Sequence, residues 1–235
     1  MDRLGIIGSG AIGAAVARLA VNAGMSVRIA NSRGPESLGD LVKELGGNAK
    51  AGEVQDTATF GDVVVLAIPL GAYGELPVDT LSGRTILSTG NYYPSRDGRI
   101  APLDAANFTT LEYEQQSLPG AILVKAFNNI VAHHIPLLAN SDPRTALPVA
   151  GDDQDAKAHV SRIIAALGFD PVDAGGSADS WRFEPESGAY TPIYAASGEG
   201  FEADYLADRG APLPAGRLKE LLAQSHRPDV SARQF

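Results

Sequence analysis

Three glycines in the segment Gly8-Ser9-Gly10-Ala11-Ile12-Gly13 constrain the fold of this chain more than any other feature. The segment follows an apolar run at residues 4–7 and opens a stretch, 11–23, with the periodicity of a helix. Glycines at this spacing permit a tight turn, a close approach of the backbone to a diphosphate and close packing of the helix on the strand. Such glycines also occur in ordinary turns, but the flanking strand and helix favour a βαβ unit that binds a dinucleotide at the helix start.

Apolar runs and helical stripes alternate along the chain as far as about residue 175. The run at 63–68 is continuously apolar, as expected of a parallel strand covered on both faces. Stripes with helical spacing at 38–45 and 160–167 are each followed by glycine, which favours a helix end there. Further strands are predicted at 27–30, 85–88, 121–127, 146–149 and 171–173. This alternation predicts a Rossmann-like α/β fold with a doubly wound, mostly parallel sheet.

The same pattern divides the chain into two regions. Residues 1–175 carry the alternation and form the predicted dinucleotide-binding domain. In residues 176–235 glycine, serine, proline and aromatic residues crowd together, and only 216–224 resembles a helix. This composition predicts a small C-terminal cap or arm that contributes to a substrate site or, because it is too short to close its own core, to a homodimer. The last ten residues are polar enough to fray.

Composition and charge exclude several classes of chemistry. The 235-residue chain has no cysteine, which removes disulfides, thiolate nucleophiles and cysteine-ligated metals. A formal net charge of -9 argues against nucleic acid as a partner. No apolar run approaches the ~20 residues that span a bilayer, and the N-terminus lacks the pattern of a secretory signal. We therefore expect a cytoplasmic protein without a membrane partner.

The end of the second strand distinguishes the two nicotinamide dinucleotides. An acidic residue there would bind the ribose hydroxyls and repel a 2'-phosphate. The chain instead has Asn31-Ser32-Arg33, which offers amide and hydroxyl donors and a guanidinium whose planar fork matches a phosphate. The segment predicts NADP(H) as the cofactor. The alternative is that Arg33 lies on a solvated loop and binds no ligand.

A family resemblance is carried by the stretch Ile29-Ala30-Asn31-Ser32-Arg33-Gly34-Pro35-Glu36-Ser37-Leu38, which resembles the F-420-dependent NADP reductases and the wider group of dinucleotide-binding reductases around them. Three later motifs are similar to strand ends of that family: Val64-Val65-Leu66-Ala67-Ile68-Pro69, Thr89-Gly90-Asn91 and Val124-Lys125-Ala126-Phe127-Asn128. The resemblance thus covers about residues 1–175. Two further motifs look like a bacterial branch of the group: Asn91-Tyr92-Tyr93-Pro94 and Trp181-Arg182-Phe183-Glu184-Pro185.

The resemblance implies an activity and a set of cofactor contacts. The implied activity is that of an oxidoreductase that transfers hydride between NADP(H) and a small-molecule redox partner, the deazaflavin coenzyme F-420. Ser32 and Arg33 would hold the 2'-phosphate. The residues that would flank the cofactor or lie near the nicotinamide are Ala67, Ile68, Pro69, Asn91, Ala126 and Asn128.

Hydride transfer between two stacked rings requires positioning and exclusion of water, but no obligatory protein acid or base. The sequence accordingly singles out no catalytic residue. A carbonyl or imine acceptor would need a proton donor, for which Tyr92, Tyr93, Lys125 and His133 are candidates. Reduction of an imine, carbonyl, flavin or quinone therefore stays open, as does a non-enzymatic NADP(H) sensor.

The candidate substrate contacts are Tyr92, Lys125 and Trp181, and two of them have an equally ordinary structural explanation. Lys125 either anchors cofactor or substrate, or extends its ammonium to the surface. Trp181 either stacks on a flat ring or pins an irregular loop, and we favour the loop. Adjacent residues such as His133-His134 do not converge on one metal, so we expect structural histidines and no metal site.

Overall fold

A computed structural model of the protein describes residues 2–197, 201 and 204–235. Its main sheet has six parallel strands in the order β3-β2-β1-β4-β5-β6. The strands are β1 (Arg3–Ile7), β2 (Ser26–Ala30), β3 (Ala49–Ala51), β4 (Val63–Leu66), β5 (Thr85–Ser88) and β6 (Ile122–Lys125). This is the strand order of a doubly wound Rossmann sheet, which confirms the predicted fold class.

The strand order reverses beside β1, which lies at the centre of the sheet. Leu4 of β1 pairs with Val27 of β2 on one side and with Val63 of β4 on the other. All four residues of β4 are buried, as its continuous apolar run predicts for a strand covered on both faces. In such sheets a crevice opens at the carboxyl ends of the strands where the order reverses.

Helices cover the sheet and connect its strands. The described helices are α1 (Ala11–Asn22), α2 (Gly39–Leu45), α3 (Val54–Phe60), α4 (Val78–Leu81), α5 (Pro94–Asp97), α6 (Ala101–Asp104), α7 (Thr110–Ser117), α8 (His134–Leu138), α9 (Gln154–Ala166) and α10 (Ala215–Gln224). Helix α1 packs closely on the sheet because its buried face consists of Gly13 and small residues such as Ala17 and Ala20. None of the described helices is long and apolar enough to cross a membrane.

A second parallel pair, β7 (Ala146–Val149) and β8 (Asp170–Asp173), continues the domain beyond the main sheet. An antiparallel bridge between Lys125 and Ala150 joins this pair to the end of β6. Helix α9 covers the pair and buries the stripe that contains Val160 and Ile164. The two strands therefore share one hydrophobic core with the main sheet.

The chain beyond β8 consists mainly of short 3-10 helices, at Ser177–Phe183, Thr191–Tyr194 and Val230–Ala232, together with α10. Most of the last ten residues, which the sequence predicts to fray, are exposed, but Arg233 is not. Arg233 is only 3% exposed and donates hydrogen bonds to the carbonyl oxygens of Tyr92 and Pro185, each at 2.9 Å, while it pairs with Glu186. Charge-assisted bonds to three partners hold this end in place despite its polar composition.

Candidate functional site: a cleft at the carboxyl edge of the sheet

A cleft of about 620 Å³ opens where the strand order reverses. The segments that follow β1, β4, β5 and β6 form its walls, and the C-terminal region contributes Tyr190. Of the residues predicted from the sequence to bind cofactor, those that line the cleft are Gly10, Ala11, Ile12, Ala67, Ile68, Pro69, Asn91 and Asn128. The topology thus brings together segments that are more than 100 residues apart in the chain.

The glycine-rich turn has two glycines that the protein itself requires and one that it does not. Gly8 has φ +111°, and a Cβ there would collide with the carbonyl oxygen of Ala67. A Cβ on Gly13 would collide with the carbonyl oxygen of Gly8. A Cβ on Gly10, by contrast, would meet no protein atom within 4 Å beyond its chain neighbours, so packing within the protein does not require a glycine there.

The start of α1 is suited to an anion. Gly10 is the N-cap residue, and no side chain caps the first amides of the helix. Those amides and the positive end of the helix dipole therefore face the cleft, as a diphosphate requires. The residues present fit the diphosphate of a dinucleotide cofactor at this end of the cleft.

The loop after β2 is held in a fixed shape beside this turn. The Asn31 side-chain amide donates to the hydroxyls of Ser9 and Ser37, at 3.0 Å each. The Asn31 side-chain oxygen accepts from the backbone amide of Arg33 at 2.9 Å. Ser32 and Arg33 are exposed, and within the described part of the chain the Arg33 guanidinium has no hydrogen-bond or ion-pair partner. Asn31 thus ties the loop that carries Arg33 to the glycine-rich turn, and the exposed guanidinium is available to an anionic ligand.

The opposite end of the cleft contains a polar cluster of Asn91, Asn128, Tyr93 and Tyr190. Asn91 donates to the Asn128 carbonyl oxygen at 2.7 Å, and Asn128 donates back to the Asn91 side-chain oxygen at 3.0 Å. The same Asn91 nitrogen lies 3.2 Å from the Tyr93 hydroxyl and 3.3 Å from the Tyr190 hydroxyl, and the two hydroxyls are hydrogen-bonded to each other. Burial raises the pKa of Tyr190 far above its ordinary value, so this phenol is neutral at physiological pH.

A buried ion pair lies directly beneath this end of the cleft. Lys125 is fully buried, and its ammonium contacts the Gly90 carbonyl oxygen at 2.7 Å and a Glu184 carboxylate oxygen at 3.2 Å. Burial alone would raise the pKa of Glu184, but the charge of Lys125 and hydrogen bonds from Thr110 outweigh it and hold that pKa below its ordinary value. Lys125 thereby fixes the backbone that presents Asn91 to the cleft.

A second buried carboxyl, that of Glu114, lies against the same backbone. A Cβ on Gly90 would meet its Oε1 atom, so the carboxyl lies against this backbone where residue 90 has no side chain. Burial raises the pKa of Glu114, and the charge of Lys125 opposes this shift only in part. The Lys125 ammonium thus pairs with Glu184 directly and acts on Glu114 only through its charge.

The three candidate substrate residues lie outside the cleft lining. Tyr92 is 1% exposed, and its hydroxyl donates to Asp104 at 2.9 Å on the far side of the backbone. Lys125 is neither at the surface nor in the cleft but supports its floor. Trp181 packs under the Arg182 guanidinium, 4.7 Å from the ring centroid, as a residue that pins a loop does.

The remaining residues predicted to bind cofactor have supporting positions. Gly8, Ser9 and Gly13 shape the turn behind the lining, and Ala126 is buried under the floor. Sequence reasoning missed Tyr190 altogether, because an irregular segment with no periodicity delivers it to the cleft.

The two adjacent histidines connect the cleft to the C-terminal region. His133 lines the cleft, and its Nε2 lies 2.9 Å from the Asp208 carbonyl oxygen, while the Nε2 of His134 lies 3.1 Å from the same oxygen. Both rings therefore donate from Nε2. Burial and the neighbouring His133 lower the pKa of His134. Within the residues that the structure describes, no group of three His, Cys, Asp or Glu is arranged to hold a metal ion.

The sheet order and the glycine-rich turn at its reversal define a protein of the Rossmann nucleotide-binding class. Residues 3–92 match the family described as "NADP oxidoreductase coenzyme F420-dependent". The sequence motifs predicted this resemblance, and the match confirms it for the N-terminal part of the chain.

Three known proteins and structures are similar to this chain over most of its length. A hypothetical protein from Sinorhizobium meliloti is 30% identical, with a TM-score of 0.73 over 81% of this chain and 93% of that one. A putative F420-dependent NADP-reductase from Arthrobacter sp. FB24 shares the fold at 23% identity, with a TM-score of 0.63 over 75% of this chain and 85% of that one. Rat metalloreductase STEAP3 is 28% identical over 77% of this chain, which spans only 36% of the length of that relative.

Proposed function

We propose that the protein is an NADP(H)-dependent oxidoreductase that transfers hydride between NADP(H) and the deazaflavin coenzyme F-420. The observation that carries the proposal is the single cleft wall that runs from the uncapped start of α1 to the cluster around Asn91. A dinucleotide with its diphosphate at Gly10 would extend along this wall. Its nicotinamide would then lie near Ile68 and Asn91, where a second ring has room to stack.

NADP(H) is the proposed cofactor because the charge at the adenosine end favours a phosphate. Arg33 and Ser32 are exposed beside the glycine-rich turn, and no acid occupies positions 31–34. When bound, NADPH supplies the hydride, and the protein's own task is to hold the two rings at reacting distance and to keep water away. The apolar walls formed by Ile12, Ile68 and Val131 suit that task.

The acceptor is tested by adding one compound at a time. Purified protein is mixed with NADPH and a panel that contains F-420, a flavin, a quinone, an imine, a carbonyl compound and, because STEAP3 is named a metalloreductase, a ferric chelate. We expect F-420 to accelerate the loss of absorbance at the nicotinamide band more than any other compound. Faster turnover with another member would replace F-420 by that acceptor. Tight NADPH binding with no turnover for any compound would favour an NADP(H) sensor instead.

We also propose that the C-terminal region forms part of a homodimer interface. Leu137, which follows the cleft wall, is 56% exposed, and Leu206 of the C-terminal region is 66% exposed. The C-terminal region is also too short to close a core of its own, which favours a second subunit as its partner. Light scattering coupled to size-exclusion chromatography should give the mass of a dimer at micromolar concentration, and Leu206→Asp should shift it towards the monomer. A monomeric mass for the unmodified protein would contradict the proposal.

A further inference from the structure

We propose that Tyr93 and Tyr190 act as a hydrogen-bond donor pair that holds the hydride acceptor through a carbonyl oxygen or an unprotonated ring nitrogen and supplies its proton. This inference rests on the proposed function, which it deepens by naming the chemical group that the acceptor must present. Both tyrosines line the cleft. Tyr93 follows β5, whereas Tyr190 comes from the C-terminal region.

A count of protons carries the argument. The two phenols have two hydroxyl protons, and the bond between the hydroxyls uses one of them. The neighbouring Asn91 nitrogen can only donate, so it cannot accept the other proton. Among the described residues neither hydroxyl has any other partner. The second proton is therefore offered to whatever occupies the cleft.

The pair is held in place before any ligand arrives. Asn91 is fixed by its two hydrogen bonds with Asn128, whose side chain also donates to the Phe183 carbonyl oxygen at 2.8 Å. The residue before Tyr190 is anchored by Asn129, which donates to the Ala189 carbonyl oxygen at 2.9 Å. Donors fixed in this way need little reorganisation when a ligand binds or reacts.

The donor pair also balances the reaction. The hydride and its electron pair leave the nicotinamide ring of NADPH and form a bond to a carbon of the acceptor. The π electrons of that carbon's double bond move along the conjugated system to the carbonyl oxygen or ring nitrogen, which takes the tyrosine proton. The phenolate left behind accepts hydrogen bonds from the other hydroxyl and from Asn91, and solvent then returns the proton. NADPH is oxidised and the acceptor is reduced by two electrons.

This arrangement selects acceptors by their chemistry. A ring that offers an oxygen or nitrogen acceptor conjugated to the reacting carbon, as a deazaflavin or a flavin does, satisfies the free hydroxyl. A molecule that presents only N–H donors at that position would leave the hydroxyl proton without an acceptor. Burial without a partner is costly for such polar groups, so these molecules are disfavoured.

The test compares Tyr93→Phe, Tyr190→Phe and the double variant with the unmodified protein, with F-420 as the acceptor. Tyr113→Phe, which removes a phenol from α7 outside the cleft, is the matched control. We expect all variants to bind NADPH with an unchanged Kd and to keep their melting temperature. The Phe variant of the tyrosine that contacts the acceptor should have a kcat that is lower by about 100-fold or more, a loss typical of a missing general acid. The double variant should lose no more than the worse single variant.

A second measurement separates proton supply from mere packing. The unmodified protein should turn over more slowly in D2O than in H2O, and this solvent isotope effect should change in the double Phe variant, whereas the control should keep it. A double variant with unmodified kcat and an unmodified isotope effect would overturn the inference while the proposed function stands. Absence of F-420 turnover in the unmodified protein would refute both.

If a Phe variant does not fold, the fallback variant is Tyr190→3-fluorotyrosine, which has nearly the same size and a more acidic hydroxyl. We expect this variant to change the solvent isotope effect. An unchanged isotope effect would also overturn the inference.

Discussion

Replacing Lys125 by methionine should destabilise the protein strongly, because it removes the positive charge that the buried Glu184 and Glu114 share. Lys125 is fully buried, and its ammonium also bonds to the Gly90 carbonyl oxygen. Removing one partner of a buried ion pair typically costs ~3–5 kcal/mol. Glu184 keeps its hydrogen bonds from Thr110, so we expect the lower end, about 3 kcal/mol. For a chain of this size, that loss corresponds to a melting temperature lower by roughly 6–12 °C.

The assay is thermal and urea unfolding at several pH values. In Lys125→Met the two carboxyls lose their counter-charge, so the folded pKa of Glu184 should rise above its unfolded value, and that of Glu114, which burial already raises, should rise further. The folded state then binds more protons than the unfolded state in the pH range between those values, so stability falls as pH rises through that range. The loss relative to the unmodified protein should therefore be smaller at pH 5 than at pH 8. The double variant Lys125→Met with Glu184→Gln should recover part of the loss, since it removes the unpaired charge.

The matched control is Lys157→Met. Lys157 pairs with Asp173 at 2.9 Å, but the Asp173 side chain is 64% exposed, so the expected cost is below about 1 kcal/mol. Equal losses for the two lysine variants, or a loss at position 125 that grows towards acid pH, would refute the assignment of a buried, shared counter-charge.

Three further predictions concern binding and the docked chain end. In calorimetric titration, Arg33→Asp should weaken NADPH binding by about 10- to 150-fold, the equivalent of one lost charge-assisted contact, and leave the affinity for NADH almost unchanged. The exposed control Lys43→Asp should change neither affinity. Equal losses for both cofactors would contradict the assignment of Arg33 to the phosphate. Gly10→Ala should keep the melting temperature but weaken NADPH binding. Gly13→Ala should destabilise the fold by about 1–3 kcal/mol, because a Cβ at position 13 collides with the protein whereas one at position 10 does not. Identical melting curves for the two variants would contradict this prediction. Arg233→Met should cost about 1–3 kcal/mol in urea unfolding because it leaves two buried carbonyl oxygens without their donor, whereas the partner carboxylate of Glu186 is exposed and stays solvated. A change below about 0.5 kcal/mol, the ordinary range for a surface substitution, would show that this end does not contribute to stability.

The main sheet was predictable because its signals are local. The structure of strand β4 and that of the glycine-rich turn can each be predicted from the residues of the segment itself. The strands predicted at 85–88 and 146–149 have the bounds found in the structure. The three-residue strand β3 and the seven-residue helix α3 were missed, since segments this short show no clear period.

The far end of the cleft was less predictable because its contacts are non-local. Lys125 and Glu184 form an ion pair although they are 59 residues apart in the sequence, and the residues around each of them do not indicate the other. The sequence left open whether Lys125 anchors a ligand or reaches the surface, and the structure shows a third situation, full burial. Tyr190 meets Tyr93 across 97 positions, on a segment without regular structure.

The dependence of the cleft on a late segment of the chain has an evolutionary consequence. Tyr190 and the Phe183 carbonyl that anchors Asn128 both arise after β8, whereas the glycine-rich turn arises at the very beginning. If the proposed roles hold, exchanging residues 183–190 between homologues would alter which acceptor is reduced and would leave nucleotide binding intact. Diversification of this lineage would then require changes at no more than these eight positions.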